Sequence, residues 1–194
     1  NGAGQLGDGS NTNSNVPVAV TGGALANKTV TDITAGAYHT CALISDGTVT
    51  CWGYNGDGQL GDGSTTNSNV PVAVAGGALT DKTVTDITAG AYHTCALISD
   101  GTVTCWGYNG DGQLGDGSNT TRNLPVAVTG GALENKTVTD ITAGDAHTCA
   151  LISDGTVTCW GANVYGQLGD GSNTNSNVPV AVTGGALENK TVTD

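Results

Sequence analysis

Apolar and polar residues alternate along this chain in short runs bounded by Gly, Asn, Asp and Pro, and the whole pattern returns every 54 residues. Cys41, Cys95 and Cys149 mark the period, as do Trp52, Trp106 and Trp160. Within one period, His39-Thr-Cys-Ala-Leu-Ile-Ser-Asp-Gly-Thr-Val-Thr-Cys-Trp-Gly53 predicts two strands joined by the loop Ser45-Asp46-Gly47, with Gly47 at the left-handed position of a bulged hairpin. That loop sets Leu43 opposite Val49, Ala42 opposite Thr50 and Cys41 opposite Cys51. The cysteine pair is expected at a non-hydrogen-bonded position, where opposed side chains come closest. Alternation then places Cys41, Leu43, Val49 and Cys51 on one face and Ala42, Ile44, Thr50 and Trp52 on the other. Both faces are largely apolar, so the hairpin must be covered twice.

Thr29–Ala35 predicts an inner strand and Val70–Val74 an outer one, and Pro71, which has no N–H to give a ladder, suits an edge. The expected unit is a four-stranded antiparallel sheet buried between identical neighbours. Repeated radially, it is a β-propeller blade, and a period of 54 is too long for a common β-helix coil. The chain divides into repeat 1 (1–54), repeat 2 (55–108), repeat 3 (109–162) and a partial repeat 4 (163–194), about 3.6 repeats in all. Repeats 1 and 2 differ only at Ala3/Asp57, Asn11/Thr65, Thr21/Ala75, Ala26/Thr80 and Asn27/Asp81. Repeat 3 departs more, with Arg122 for Ser68, Asp145-Ala146 for Ala91-Tyr92 and Ala162 for Tyr108. By this phasing Val16–Val20 is the outer strand of a preceding blade, and Thr191–Asp194 begins a further inner strand. Such a window reads as part of a longer array, with flanking blades or an assembly partner expected to cover its ends.

Composition narrows the function. With 17 acidic residues against 5 basic, a net charge of −12, the surface is wrong for nucleic acid. Apolar runs stay far short of the ~18–20 residues of a membrane span. Thirty-two glycines and only eight aromatic residues (three Trp, five Tyr, no Phe) would be meagre for one conventional core, but each period needs only a thin apolar layer.

Several side chains invite chemistry. The pairs Cys41/Cys51, Cys95/Cys105 and Cys149/Cys159 read as disulfides, metal ligands or buried thiols. The hairpin geometry favours disulfides, because zinc would want four convergent ligands and each pair offers only one nearby histidine. Disulfides would stabilise each blade by ~2–3 kcal/mol and imply an oxidising compartment. His39, His93 and His147 sit at a strand entrance, with no nucleophile at a fixed offset to form a triad. They are expected in the structural core, each ring bonding a backbone group of the next turn, and Trp52, Trp106 and Trp160 are expected there too. Tyr54, Asp57, Tyr108, Asp111, Arg122, Asp145 and Tyr165 are the candidate surface contacts, and the variable Tyr38 and Tyr92 are also candidates for an exposed surface. Asn55-Gly-Asp57-Gly and Asp62-Gly-Ser-Thr-Thr-Asn67 place oxygens at alternate positions. Calcium is therefore the one cofactor worth naming, although the bidentate Glu of a calcium loop is missing and Asx turns give the same pattern. Asn27, Asn119, Asn135 and Asn189 begin Asn-x-Thr triplets.

The runs Ala35-Gly-Ala-Tyr-His39-Thr-Cys-Ala-Leu43, Gly47-Thr-Val-Thr-Cys-Trp52-Gly-Tyr-Asn55 and Gly58-Gln-Leu-Gly61, followed by Pro71-Val, resemble the regulator-of-chromosome-condensation repeat. The resemblance recurs in every copy and implies a seven-bladed propeller for the parent array. It also implies a family that includes a nucleotide exchange factor, a plant ultraviolet receptor and a secreted bacterial inhibitor. Paired cysteines in each copy look like the bacterial cell-surface or secreted branch. The reading is an extracellular, non-enzymatic structural or adhesive module whose partners are neighbouring repeats or other copies of the chain. The alternative is a specific protein-binding propeller resembling the secreted inhibitors.

Overall fold

The computed structural model describes residues 1–185 and 190–192. It contains three sheets of four antiparallel strands, each sheet following chain order. The first blade is β1 (Val30–Ala35), β2 (His39–Ile44), β3 (Val49–Gly53) and β4 (Ser68–Ala73). The second is β5 (Val84–Ala89), β6 (His93–Ile98), β7 (Val103–Gly107) and β8 (Arg122–Ala127), and the third is β9 (Val138–Ala143), β10 (His147–Ile152), β11 (Val157–Gly161) and β12 (Ser176–Ala181).

The Asp-Gly loop sets the register of β2 and β3: Leu43 pairs with Val49, Ala42 with Thr50 and Cys41 with Cys51. The same register places Cys95 opposite Cys105 and Cys149 opposite Cys159. All three pairs are disulfides, Cys41–Cys51 and Cys149–Cys159 with Cα atoms 4.0 Å apart and Cys95–Cys105 with 4.1 Å. That is close to the spacing of directly opposed residues in a non-hydrogen-bonded pair, so the metal and free-thiol readings fall away. Pro71 lies in β4, the outer edge, where no ladder bond is lost.

Between β4 and the next blade's first strand the chain makes a short 3-10 turn, as at Gly77–Leu79, and then passes through a left-handed residue. Asn27, Asp81 and Asn135 fill that position at φ 61°, 57° and 59°, which explains why it drifts only between Asn and Asp. The following lysines, Lys28, Lys82 and Lys136, reach Asp46, Asp100 and Asp154 of the β2–β3-type hairpins at 2.6 Å. These pairs are half exposed, so they tidy the blade end more than they hold it.

Blades stack face to face. Cys41, Leu43, Val49 and Cys51 of the first, with Leu60, close a core against Val84, Ile87, Ala96 and Trp106 of the second. Cys95, Leu97, Val103 and Cys105, with Leu114, meet Val138, Ile141, Ala150 and Trp160 of the third in the same way. The disulfides Cys41–Cys51 and Cys95–Cys105 are thus fully buried, each part of the apolar surface that receives the next blade's tryptophan.

Several expectations at the ends need correction. Cys149–Cys159 is not sealed between two blades: Cys159 is 3% exposed but Cys149 only half-buried, because no fourth blade stands against that face among the described residues. Val16–Val20 forms no strand and Val16 is 63% exposed, because an outer strand forms only on its own blade's third strand and none lies beside it among the described residues. Residues 190–192 are not a strand either, although the Val192 amide donates to the Gly155 carbonyl at 3.0 Å, as Val84 does to Gly47. Residues 193–194, and with them the rest of that expected strand, lie outside the described residues.

The same strand position is covered in one blade and bare in another: Ile87 is 5% exposed and Ile33 is 60% exposed. Ile87→Ala is expected to cost this chain about 2–4 kcal/mol in urea unfolding, and Ile33→Ala less than about 1 kcal/mol. Equal losses would mean that the joint does not carry the stability assigned to it.

Candidate functional site

Each joint between blades is centred on one backbone carbonyl. The loop after β3 crosses to the second blade and sets the Gln59 carbonyl where two donors meet it, Trp106 Nε1 at 2.8 Å and Thr94 Oγ1 at 3.0 Å. Thr94 already gives its only hydroxyl hydrogen to Gln59, so its oxygen must accept from His39 Nε2, 2.8 Å away. His39 therefore carries a hydrogen on Nε2. The next joint repeats the set: His93 to Thr148 at 2.9 Å, then Thr148 and Trp160 to the Gln113 carbonyl at 3.1 and 2.9 Å. Gln5 receives Thr40 and Trp52 in the same way. A Cβ on Gly61 would fall 2.7 Å from Trp106 Nε1, so the Gly-Gln-Leu-Gly loop ends in glycine to let the indole in.

The histidine partner is therefore a threonine hydroxyl on the following blade rather than the backbone group expected from sequence. Burial pushes His39 down to about 4 and His93 down to about 3, with the flanking histidines adding to the latter. His147 departs from the expected core position: it is half-buried on the same open face as Cys149, where burial lowers it and Asp145 pulls it back. Nδ1 of His39 and of His93 is buried without a partner, which is compatible with a neutral ring and penalises a charged one.

The loop over residues 54–67 is organised from inside by Asn55, which is fully buried. Its Oδ1 accepts from the Leu60 amide at 2.9 Å, and its Nδ2 faces Asp62 Oδ1, the Ser64 carbonyl and the Thr66 carbonyl at 3.1 to 3.2 Å. Asp62 in turn accepts from the Ser64 amide and hydroxyl. Of the alternating oxygens in this loop, those of Asp62, Ser64 and Thr66 converge on this side-chain amide, Asn67 Oδ1 accepts from the Asn55 backbone N–H at 2.8 Å, and the Asp57 carboxylate stays outside the set.

The candidate surface residues are brought together unevenly. Tyr38 and Tyr54 flank one end of the β2–β3 pair, joined by a Tyr54 amide to Tyr38 carbonyl bond of 2.9 Å, and Tyr92 and Tyr108 do the same in the second blade. The joint then lays Tyr92 against Tyr38, ring centroids 5.3 Å apart and 30° between planes, while Tyr54 meets both edge-on at 6.2 and 6.3 Å. Tyr38, Tyr92 and Tyr108 are more than a third exposed. Two open clefts result, about 260 Å³ among Tyr38, Tyr54 and Tyr92, and about 290 Å³ among Asp57, Tyr92 and Tyr108. The adjacent Tyr38 hydroxyl raises the Tyr92 phenol, with smaller pushes from Tyr54 and Asp57.

Tyr38 and Tyr92, which the chain marks as exposed-surface candidates alongside Tyr54, Tyr108 and Tyr165, belong to this rim, whereas Tyr165 does not. The third blade has Ala146 and Ala162 in place of Tyr92 and Tyr108, and the glycine at 56 and 110 becomes Val164. The two changes are linked sterically: a Cβ on Gly56 or Gly110 would lie 2.1 or 2.0 Å from the hydroxyl of Tyr54 or Tyr108, whose ring folds back over the loop.

Other candidates lie elsewhere. Arg122 pairs with Asp116 of its own loop at 3.1 Å, Asp111 accepts from Asn175 at 3.0 Å, and Tyr165 stands alone at 88% exposure. Exposed Asp145 neighbours the cluster, its carbonyl accepting from the Ala91 amide at 2.9 Å. Among the asparagines of the Asn-x-Thr triplets, Asn27 and Asn135 occupy the left-handed turns, Asn119 donates to the Gly110 carbonyl, and Asn189 lies outside the described residues.

Disulfide-bridged blades, clasped through a loop carbonyl and carrying an aromatic rim, define a repeat-built β-propeller. The repeat described as the regulator of chromosome condensation (RCC1) repeat matches residues 1–43, 46–97, 100–151 and 154–194, and a second description of it matches 30–59, 84–113 and 138–167. The chain belongs to the RCC1 repeat family. It is similar to the ultraviolet-B receptor UVR8 of Arabidopsis thaliana (35% identity over 181 residues, 92% of this chain and 39% of the receptor). It is also similar to the E3 ubiquitin-protein ligase HERC2 of Homo sapiens (38% over 147 residues, 75% of this chain and 3% of the ligase). The chain thus spans less than two fifths of the length of each. Human WBSCR16 shares the fold at a TM-score of 0.76 (24% identity, 93% of this chain and 45% of that one). So does Prp20p of Saccharomyces cerevisiae at 0.68 (23% identity, 81% and 39%).

The buried histidines give a pH dependence. From pH 6.5 down to about 4 the unfolded chain protonates at positions 39 and 93 while the folded chain does not, so stability falls as pH falls through that window. The loss is ~1.4 kcal/mol per pH unit for each such ring. The unfolding midpoint is expected to drop between pH 6.5 and 5, and His39→Gln with His93→Gln should flatten that slope by about two protons. A slope unchanged in the double variant would contradict the neutral, buried assignment.

Proposed function

We propose that this chain is a non-catalytic protein-binding segment of an RCC1-type propeller, working in an oxidising extracellular setting. On this reading it docks a partner protein on the rim formed by Tyr38, Tyr54, Tyr92 and Tyr108. The observation that carries the proposal is the clustering itself: four of the five tyrosines gather at one end of two adjacent blades and line two clefts open to solvent. Tyrosine brings large contact area at low entropy cost and anchors protein interfaces disproportionately. Histidine, the side chain best suited to acid-base work at neutral pH, is engaged with threonine in both joints and held neutral there. The disulfides Cys41–Cys51, Cys95–Cys105 and Cys149–Cys159 support the compartment. Prp20p, which shares the fold, has binding properties to Gsp1p and histones and is known bound to Kap60, so this scaffold carries protein docking elsewhere.

Association of copies of the chain is a second reading, favoured by the bare apolar Val30 and Ile33 of the first blade. Sedimentation at micromolar concentration separates it: a monomeric mass removes it and a concentration-dependent dimer supports it.

The docking reading is tested with a photo-crosslinking residue placed at Tyr92 or, at the opposite end of the same blade, at Asp100. In the extracellular fraction of the source cells, position 92 is expected to crosslink to a discrete protein and position 100 is not. Tyr38→Ser combined with Tyr54→Ser should abolish the product while leaving all cysteines oxidised. Equal crosslinking at both ends, or free thiols at Cys41 and Cys51 in protein isolated under alkylation, would overturn the proposal.

A further inference from the structure

We infer that the cleft of Tyr92, Tyr108 and Asp57, bordered by Tyr38 and Tyr54, is a seat for an arginine side chain of the partner polypeptide. This rests on the docking reading above and adds its chemistry.

The chain is short of cations and has already used most of them. It has five basic residues. Lys28, Lys82, Lys136 and Arg122 are each within 2.6 to 3.1 Å of an aspartate, namely Asp46, Asp100, Asp154 and Asp116. Asp57 has no such partner among the described residues. Its nearest side-chain donor is Gln59 Nε2 at 3.4 Å, a neutral and weak contact. An unpaired carboxylate therefore lies in a cleft whose other walls are phenol rings, on a chain of net charge −12. Ring faces attract a cation through their quadrupole, and the carboxylate supplies the opposite charge. A guanidinium suits both walls at once, because its plane stacks on a ring while its N–H fork reaches a carboxylate. An ammonium is more strongly hydrated and cannot stack flat.

The repeat supplies its own control. Every blade offers the equivalent positions, yet only the second combines all the parts. The residue matching Asp57 is Ala3 before the first blade's tyrosines, whereas Asp111 in the third repeat faces the blade where Ala146 and Ala162 replace the tyrosines. One cationic seat, and not a ring of them, follows from these substitutions. Exposed Asp145, next to the cluster, adds to the negative field around it.

The experiment titrates the 194-residue chain, with 13C-labelled tyrosine rings, against the capped peptide Gly-Gly-Arg-Gly-Gly and its citrulline and lysine counterparts, followed by NMR. Saturable shifts confined to Tyr38, Tyr54, Tyr92 and Tyr108 are expected with the arginine peptide. Citrulline, which keeps the shape and loses the charge, should bind about tenfold more weakly, and lysine about threefold more weakly. Asp57→Asn should weaken arginine binding about three- to fivefold, and Asp111→Asn, which removes the same charge one blade on, less than about twofold. Tyr92→Phe should keep binding that Tyr92→Ala loses. Equal binding of citrulline, equal binding of lysine, equal effects of the two aspartate variants, or no ring shifts would each overturn the arginine seat. If the arginine seat fails while position 92 still crosslinks selectively, the docking surface stands without it; if both fail, both readings fall.

Discussion

One backbone oxygen per joint holds this molecule in register. The Gln59 carbonyl accepts from Trp106 and Thr94 of the following blade, and Thr94 accepts in turn from His39 of the preceding one. A carbonyl has two lone pairs, and here both are used by side chains that cannot reach water. The apolar surfaces of the joint supply most of the driving force but little direction, since burial of the aliphatic side chains, the disulfide and the Trp106 ring is non-directional. The hydrogen-bonded clasp supplies the direction: a blade that slides along its neighbour leaves a buried indole N–H, a hydroxyl and an imidazole N–H unpaired at once.

The aromatic rim follows from that clasp. Tyr38 precedes His39 and Tyr92 precedes His93 by a single residue, so locking His39 onto Thr94 also determines how far apart the two phenol rings stand. The loop that delivers the Gln59 carbonyl delivers Asp57 two residues earlier, beside Tyr92 and Tyr108. Structural joint and candidate docking surface are one construction viewed from its inside and its rim. The third blade keeps the clasp and drops the tyrosines, which shows that the rim can vary without disturbing the joint.

Much of this is legible in the chain without coordinates. The Asp-Gly loop and the ten-residue spacing of Cys41 and Cys51, Cys95 and Cys105, and Cys149 and Cys159 define the hairpin register. Pro71 marks the edge, and two apolar faces on one hairpin demand neighbours on both sides. What stays hidden has a physical reason. Gln59, Asn55 and Thr94 are polar residues that read as loop or surface, yet all are fully buried because their partners arrive from another part of the chain. With only five of 54 positions differing between the first two repeats, recurrence marks every residue and so singles out none. Val16–Val20 carries the sequence of β4 without its structure, since an outer strand has no shape of its own apart from the strand it pairs with. The identical strand sequence of β6 and β10 likewise leaves Cys149 and His147 less covered than Cys95 and His93, because burial is set by the next blade and not by the residue.

The claim that the clasp holds both fold and rim is tested most directly by Thr94→Val, which keeps the side-chain shape and removes the hydroxyl. Ring-to-ring NOEs between Tyr38 and Tyr92 would be measured together with the free energy of unfolding. The account predicts a loss of about 1–3 kcal/mol, from the unpaired His39 N–H and the half-used Gln59 carbonyl, accompanied by weaker NOEs. Unchanged stability with unchanged NOEs would contradict it.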